Sequence, residues 1–135
     1  MSGRILDRTA LVDFATSASV YGGAFLVAAV EMDIDLVAPA VALLDAWSAV
    51  PTPDRALLEL LLETPLLRVE PLHTGGAAEA GIRVHDARTA GATYDAGSAH
   101  TVDAAMRLGY VVVTSDPGPL RVVDPAVAVE ELPGF

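Results

Sequence analysis

The sequence predicts an α/β protein of three layers, with helices on both faces of a central parallel sheet. Short apolar runs such as Tyr110-Val111-Val112-Val113 show no alternation, as expected of strands buried on both faces of such a sheet. Helical patterns separate the strand candidates throughout the chain, which means parallel rather than hairpin pairing. A carboxylate, Asp116, stands just past the end of the 110–113 run. In open α/β sheets that edge is where ligands bind.

Taken in order, Arg4-Ile5-Leu6-Asp7 reads as a short strand that ends on a carboxylate. A brief helix follows over Thr9–Ala15, with Leu11, Val12 and Phe14 as its apolar residues. Asp is a favoured N-cap, so Asp7 suits either a cap or a site. Ser17 and Ser19 mark a break before a second helix, Tyr21–Glu31, whose start is weakened by Gly22-Gly23. Leu36-Val37-Ala38 is the next strand, and Pro39 fits the first position of a helix over Ala40–Ala49. Asp45 lies in the middle of that helix among Leu43, Leu44, Ala46 and Trp47. It is either on the solvated face or turned into a site, and the helix alone favours the solvated face.

Thr52 and Pro53 suit the N-cap and first position of a helix over Asp54–Glu63. Leu57, Leu58, Leu60, Leu61 and Leu62 put five leucines in six positions, which predicts burial on two sides. A core position would do this, and so would a subunit interface. Leu66–Val69 is a third strand, ended by Glu70-Pro71, and His73-Thr74-Gly75-Gly76 is a loop before a helix over Ala77–Arg88. His73, His85 and His100 share no metal-type spacing and are expected to be ordinary polar residues. After a loop over Thr89–Gly97, Ser98 or Asp95 caps a helix that ends at Leu108. Ala99, Val102, Ala105 and Met106 form its buried stripe, and Asp103 and Arg107 an exposed i,i+4 pair. Gly109 is its C-cap. The strand that follows leaves through Thr114-Ser115-Asp116 into Pro117-Gly118-Pro119, which no strand can continue. Val127–Glu130 reads as a last, edge strand, blunted by Glu130, Glu131 and Pro133.

A length of 135 residues, 53% of them apolar and 19% charged, predicts a single ordered domain over 1–135. Cysteine is absent, which fits a reducing cytoplasm. All eight basic residues are arginine, so a P-loop or a Schiff-base lysine is excluded. A net charge of −10 does not suit general nucleic-acid binding and does suit holding a cation or meeting a basic partner. Met1-Ser2-Gly3-Arg4 runs into Asp7 and Arg8 rather than an apolar leader, and the longest apolar stretch, Tyr21–Val30, stops at acids. A membrane span needs roughly 20 apolar residues. A cytoplasmic protein without a membrane segment is expected.

The order of signals resembles the PIN domain, and within it the small bacterial VapC-like toxins. The resemblance spans nearly the whole chain. It rests on Ile5-Leu6-Asp7 with a helix directly behind, and on Pro39 followed six residues later by Asp45. It rests most on Ala99-His100-Thr101-Val102-Asp103-Ala104-Ala105 running through Leu108-Gly109 into Val112-Val113-Thr114-Ser115-Asp116-Pro117. The resemblance implies an acidic site that holds Mg²⁺ or Mn²⁺ and hydrolyses RNA, with an antitoxin as partner. By position Asp7, Asp45 and Asp116 would be the catalytic, metal-holding residues. Oxygen ligands and retained waters are what Mg²⁺ takes, and a bound ion lowers the pKa of its water.

Two positions depart from the family pattern. Ser98 stands where an acid is usual, and Arg8 where a small residue usually follows the first Asp. With one charge missing, metal binding is expected to be weak. Arg8 could donate to the acids and replace part of a cation's role. Asp95 would need a loop rearrangement to reach the site, and Asp103 is at the wrong angle. Two functions follow: a metal-dependent endoribonuclease, or a catalytically impaired PIN-fold protein that binds other proteins, in either case with a homodimer expected. A phosphoacceptor receiver domain also places acids at strand ends, but it needs a lysine that this chain lacks.

Overall fold

The computed structural model describes residues 3–17 and 20–133. Its strands are β1 (Gly3–Leu6), β2 (Asp35–Pro39), β3 (Leu67–Glu70), β4 (Val111–Thr114) and β5 (Val129–Glu131). All pair in parallel, in the order β3-β2-β1-β4-β5. The helices are α1 (Arg8–Thr16), α2 (Val20–Glu31), α3 (Ala40–Ala49), α4 (Arg55–Glu63), α5 (Thr74–Thr89), α6 (Ala96–Leu108) and α7 (Gly118–Val123). The fold is the expected three-layer α/β/α arrangement.

Consecutive residues of the central strands serve opposite faces, which is why their sequence does not alternate. Leu6, Leu36, Ala38 and Val113 pack with Ala10, Leu11 and Phe14 of α1. Ile5, Val37 and Val112 pack with Val102, Ala104 and Ala105 of α6 and with Leu120 and Val123 of α7. Ile5, Leu6, Leu36, Val37, Val112 and Val113 are fully buried. Burial of each such side chain contributes roughly 1.5–3 kcal/mol.

The connections decide where a site can form. From β1 the chain moves outward through β2 to β3, then returns to place β4 on the other side of β1. The crevice between the carboxyl ends of β1 and β4 is therefore the topological switch point of the sheet.

Several expectations change. Among the leucines of 57–62 only Leu58 is fully buried, while Leu57 and Leu60 are exposed. The helix thus has one buried side, and the core does not account for all five leucines. A 3₁₀ turn over Thr52–Asp54 precedes α4, and Pro39 is the residue before α3 rather than its first. Gly75 and Gly76 lie inside the first turn of α5, not in a loop. Pro117-Gly118-Pro119 ends the strand as expected but also starts α7, which sequence reading did not foresee. Pro and Gly are tolerated there because the first N–H groups of a helix have no internal partner. Ser17 caps α1 at φ 52°, and Ser19 lies outside the described residues.

Candidate functional site

Asp7 leaves β1 and caps α1, its Oδ1 accepting from the Ala10 N–H at 3.0 Å and from Thr9 Oγ1 at 2.6 Å. Burial pushes its carboxyl above the usual value, against the lowering effect of hydrogen bonds from Thr114, Thr9 and Ala10. The cap does not remove it from the switch point. Thr9 Oγ1 also accepts from the Ser115 N–H at 2.8 Å and meets Thr114 Oγ1 at 3.2 Å. Thr114 Oγ1 in turn accepts from the Asp116 N–H at 3.0 Å. A chain of hydroxyl contacts therefore ties Asp7, after β1, to the turn that carries Asp116, after β4.

The other flank is built from α3 and the start of α6. Asp95 is the N-cap of α6, accepting from the Ser98 N–H at 2.7 Å and from Ser98 Oγ at 2.9 Å. Arg8, on the first turn of α1, places Nη1 3.4 Å from Asp95 Oδ1 and 4.0 Å from Asp45 Oδ2. Gly97 makes this approach possible, because a Cβ there would collide with the Asp45 carboxylate. Asp45 is therefore not simply a solvated residue of α3. Asp95 needs no loop rearrangement to join the edge. The sequence signal for it was Asp95-x-x-Ser98, an N-cap with a hydroxyl residue three positions later.

Two residues of α6 are placed otherwise than their sequence pattern suggests. His100 is buried, with Nδ1 accepting from the Val41 N–H at 3.3 Å and Nε2 without a partner. Burial pushes its pKa down, opposed by the charge of Glu70, so the ring is neutral near pH 7. Asp103 is buried as well, against Gly76 of α5, with neither oxygen hydrogen-bonded. Burial raises its pKa, and Arg107, whose Nε lies 3.9 Å away, only partly offsets this. It is not half of an exposed pair, and it takes no part in the edge.

No family model matches the sequence, and no curated protein matches it significantly. Solved structures do match. A chain of VapBC2 from Rickettsia felis, bound to a DNA fragment from their promoter, superposes with TM-score 0.78 at 11% identity over 96% of this chain and 98% of that one. FitAcB from Neisseria gonorrhoeae gives 0.67 at 22% identity over 93% and 95%. VapBC-5 from Mycobacterium tuberculosis, a member of the VapBC family of toxin-antitoxin systems, gives 0.61 at 16% identity over 98% of both chains. The fold is PIN-like.

Within this PIN-like fold, a divalent ion is the group to test against the residues present. They do not fit one as they stand. Among the described residues no three His, Cys, Asp or Glu side chains come close enough together to hold a metal. Asp7 and Asp116 follow the adjacent strands β1 and β4, and Asp45 stands on α3 beside Arg8. The cation that stands beside Asp45 and Asp95 is the Arg8 guanidinium.

Proposed function

We propose that this chain is a toxin-type PIN-fold ribonuclease, a single domain over 1–135 that cleaves RNA phosphodiesters slowly in the cytoplasm. Asp7, Asp45 and Asp116 are its catalytic acids, and an antitoxin-like protein is its partner. One observation carries this reading. The Asp7 carboxylate after β1 is tied through Thr9 and Thr114 to the backbone N–H of Asp116 after β4, while Arg8 gathers Asp45 of α3 and Asp95 of α6 beside it. A carboxyl held above its usual range, as Asp7 is, is the better proton acceptor near neutral pH. Weak Mg²⁺ or Mn²⁺ binding belongs to this reading, since Arg8 has to move before the acids can close on an ion.

A second reading, an impaired PIN-fold protein with an association role, is favoured by two observations. Arg8 already neutralises part of the acidic edge. Val20, Tyr21, Val27 and Val30 of α2, together with Leu57 and Leu60 of α4, expose apolar surface, which suits a homodimer or a partner complex. Among the described residues no single helix is long and apolar enough to cross a membrane.

Incubation of the chain with single-stranded RNA and Mn²⁺ separates the two. Slow cleavage that Asp7→Asn and Asp116→Asn each reduce by about a hundredfold or more supports the nuclease. No cleavage at any Mn²⁺ concentration, with a stable complex lost on Leu57→Ser and Leu60→Ser, supports the association role instead.

A further inference from the structure

We infer that Arg8 is the resident cation of the acidic edge, a guanidinium that stands in the place of a divalent ion and sets how weakly the edge binds one. This rests on reading that edge as a nuclease site. The separations from Arg8 Nη1, 3.4 Å to Asp95 Oδ1 and 4.0 Å to Asp45 Oδ2, exceed ordinary hydrogen-bond length. The arginine therefore neutralises the two acids without being locked to either. All three side chains are about one-third exposed, at 36%, 29% and 35% for Arg8, Asp45 and Asp95. Such pairs are weak, and water and ions reach them.

The acids themselves are held from behind. Both oxygens of Asp95 are engaged by Ser98, through its N–H at 2.7 Å and its hydroxyl at 2.9 Å. Asp45 is seated against the bare Cα of Gly97. Removal of Arg8 leaves these two carboxylates facing each other with nothing positive between them. Mutual repulsion then favours any added cation, and a divalent one most.

Ser98 also takes on a definite role. It orients Asp95, a carboxylate one turn away, and does not merely lack a charge. An acid at 98 would face Asp95 at the distance its own hydroxyl now occupies and would repel it.

Titration of the full chain with Mn²⁺, followed by the electron paramagnetic resonance of the free ion, tests this without reference to catalysis. Arg8→Ala is expected to bind Mn²⁺ roughly tenfold or more tighter than the natural chain. Arg8→Lys, which keeps the charge, should stay weak, and Asp95→Asn added to Arg8→Ala should reverse the gain. Arg8→Gln serves as the neutral variant of similar length if Arg8→Ala does not fold. The inference is overturned if neither neutral variant binds Mn²⁺ more tightly, or if Arg8→Lys binds as tightly as they do. Tight Mn²⁺ binding by Arg8→Ala with no RNA cleavage keeps the inference and removes the nuclease reading. Cleavage of RNA by a natural chain whose Mn²⁺ affinity Arg8→Ala leaves unchanged does the reverse.

Discussion

On the β2–β3 side of the sheet, Arg68 donates to Asp35 at 3.1 Å and to Glu70 at 3.0 Å, and Arg107 reaches the other oxygen of Glu70 at 2.8 Å. At the carboxyl edge, Arg8 stands 3.4 Å from Asp95 and 4.0 Å from Asp45. The first cluster has close contacts throughout, with Arg68 hydrogen-bonded to both acids, and Glu70 at its centre is buried. Its effect reaches Asp35, whose carboxyl is held below the usual range by Arg68 and Tyr110 although its partial burial acts the other way. The second cluster has charge balance without close contact. Close, directional pairs fix the position of neighbouring elements, here β2, β3 and α6. Loose pairs leave acids that can exchange one cation for another. The contrast separates a cluster that fixes neighbouring elements from one whose acids stay open to exchange.

The largest expected effect is on the tight side. Glu70→Gln removes the charge that two arginines share and should cost about 2 kcal/mol, read as a lowered urea midpoint. A midpoint unchanged by Glu70→Gln would break the comparison. Asp103 gives the next largest effect, because it is buried on α6 without hydrogen bonds. Its raised pKa means that the folded state holds the proton more tightly than the unfolded state does. Its contribution is therefore most favourable below the ordinary carboxyl value and is lost as pH rises through the folded value. Asp103→Asn should gain on the order of 1 kcal/mol over the natural chain at pH 8, a gain that shrinks to nothing near pH 3. Urea unfolding of both chains across that range checks it.

His100 titrates in the opposite sense. Its pKa is lowered by burial, so its contribution is intact above the unfolded value of about 6.5 and is lost as pH falls below it. Thermal unfolding of the natural chain should show this loss between pH 7 and pH 5, and His100→Gln should flatten it. Arg8→Ala closes the series with the smallest effect on folding, within about 0.5 kcal/mol, as expected of partly exposed pairs. A destabilisation equal to that of Glu70→Gln would place Arg8 among the structural arginines.

Much of this was readable in the chain itself. Apolar runs without alternation placed β1, β2 and β4, because both faces of those strands are covered. Gly109 marked the end of α6, where φ is 69°. Reading was weakest where a segment meets neighbours that local pattern does not contain. Asp103 and Arg107 have the spacing of a surface pair, but α6 is packed by α3, α5 and α7, so that Asp103 has no solvated side. Gly75 and Gly76 look like a loop, yet Gly76 lies in a helix and packs closely on Asp103, whose Oδ2 would lie 3.1 Å from a Cβ there. The leucines of α4 promised two buried sides, and the chain covers only one. Asp7 and Asp116 were legible as the acids that follow β1 and β4. Asp95 was not, because its approach to Arg8 depends on Gly97 letting α6 close against α3.

Crystals of the natural chain and of Arg8→Ala, soaked in Mn²⁺ and measured at an anomalous wavelength, test the central claim most directly. The account predicts a manganese peak between Asp45 and Asp95 in Arg8→Ala, and in the natural chain the guanidinium at that place with no peak. A manganese peak there in the natural chain, with Arg8 unmoved, would contradict it.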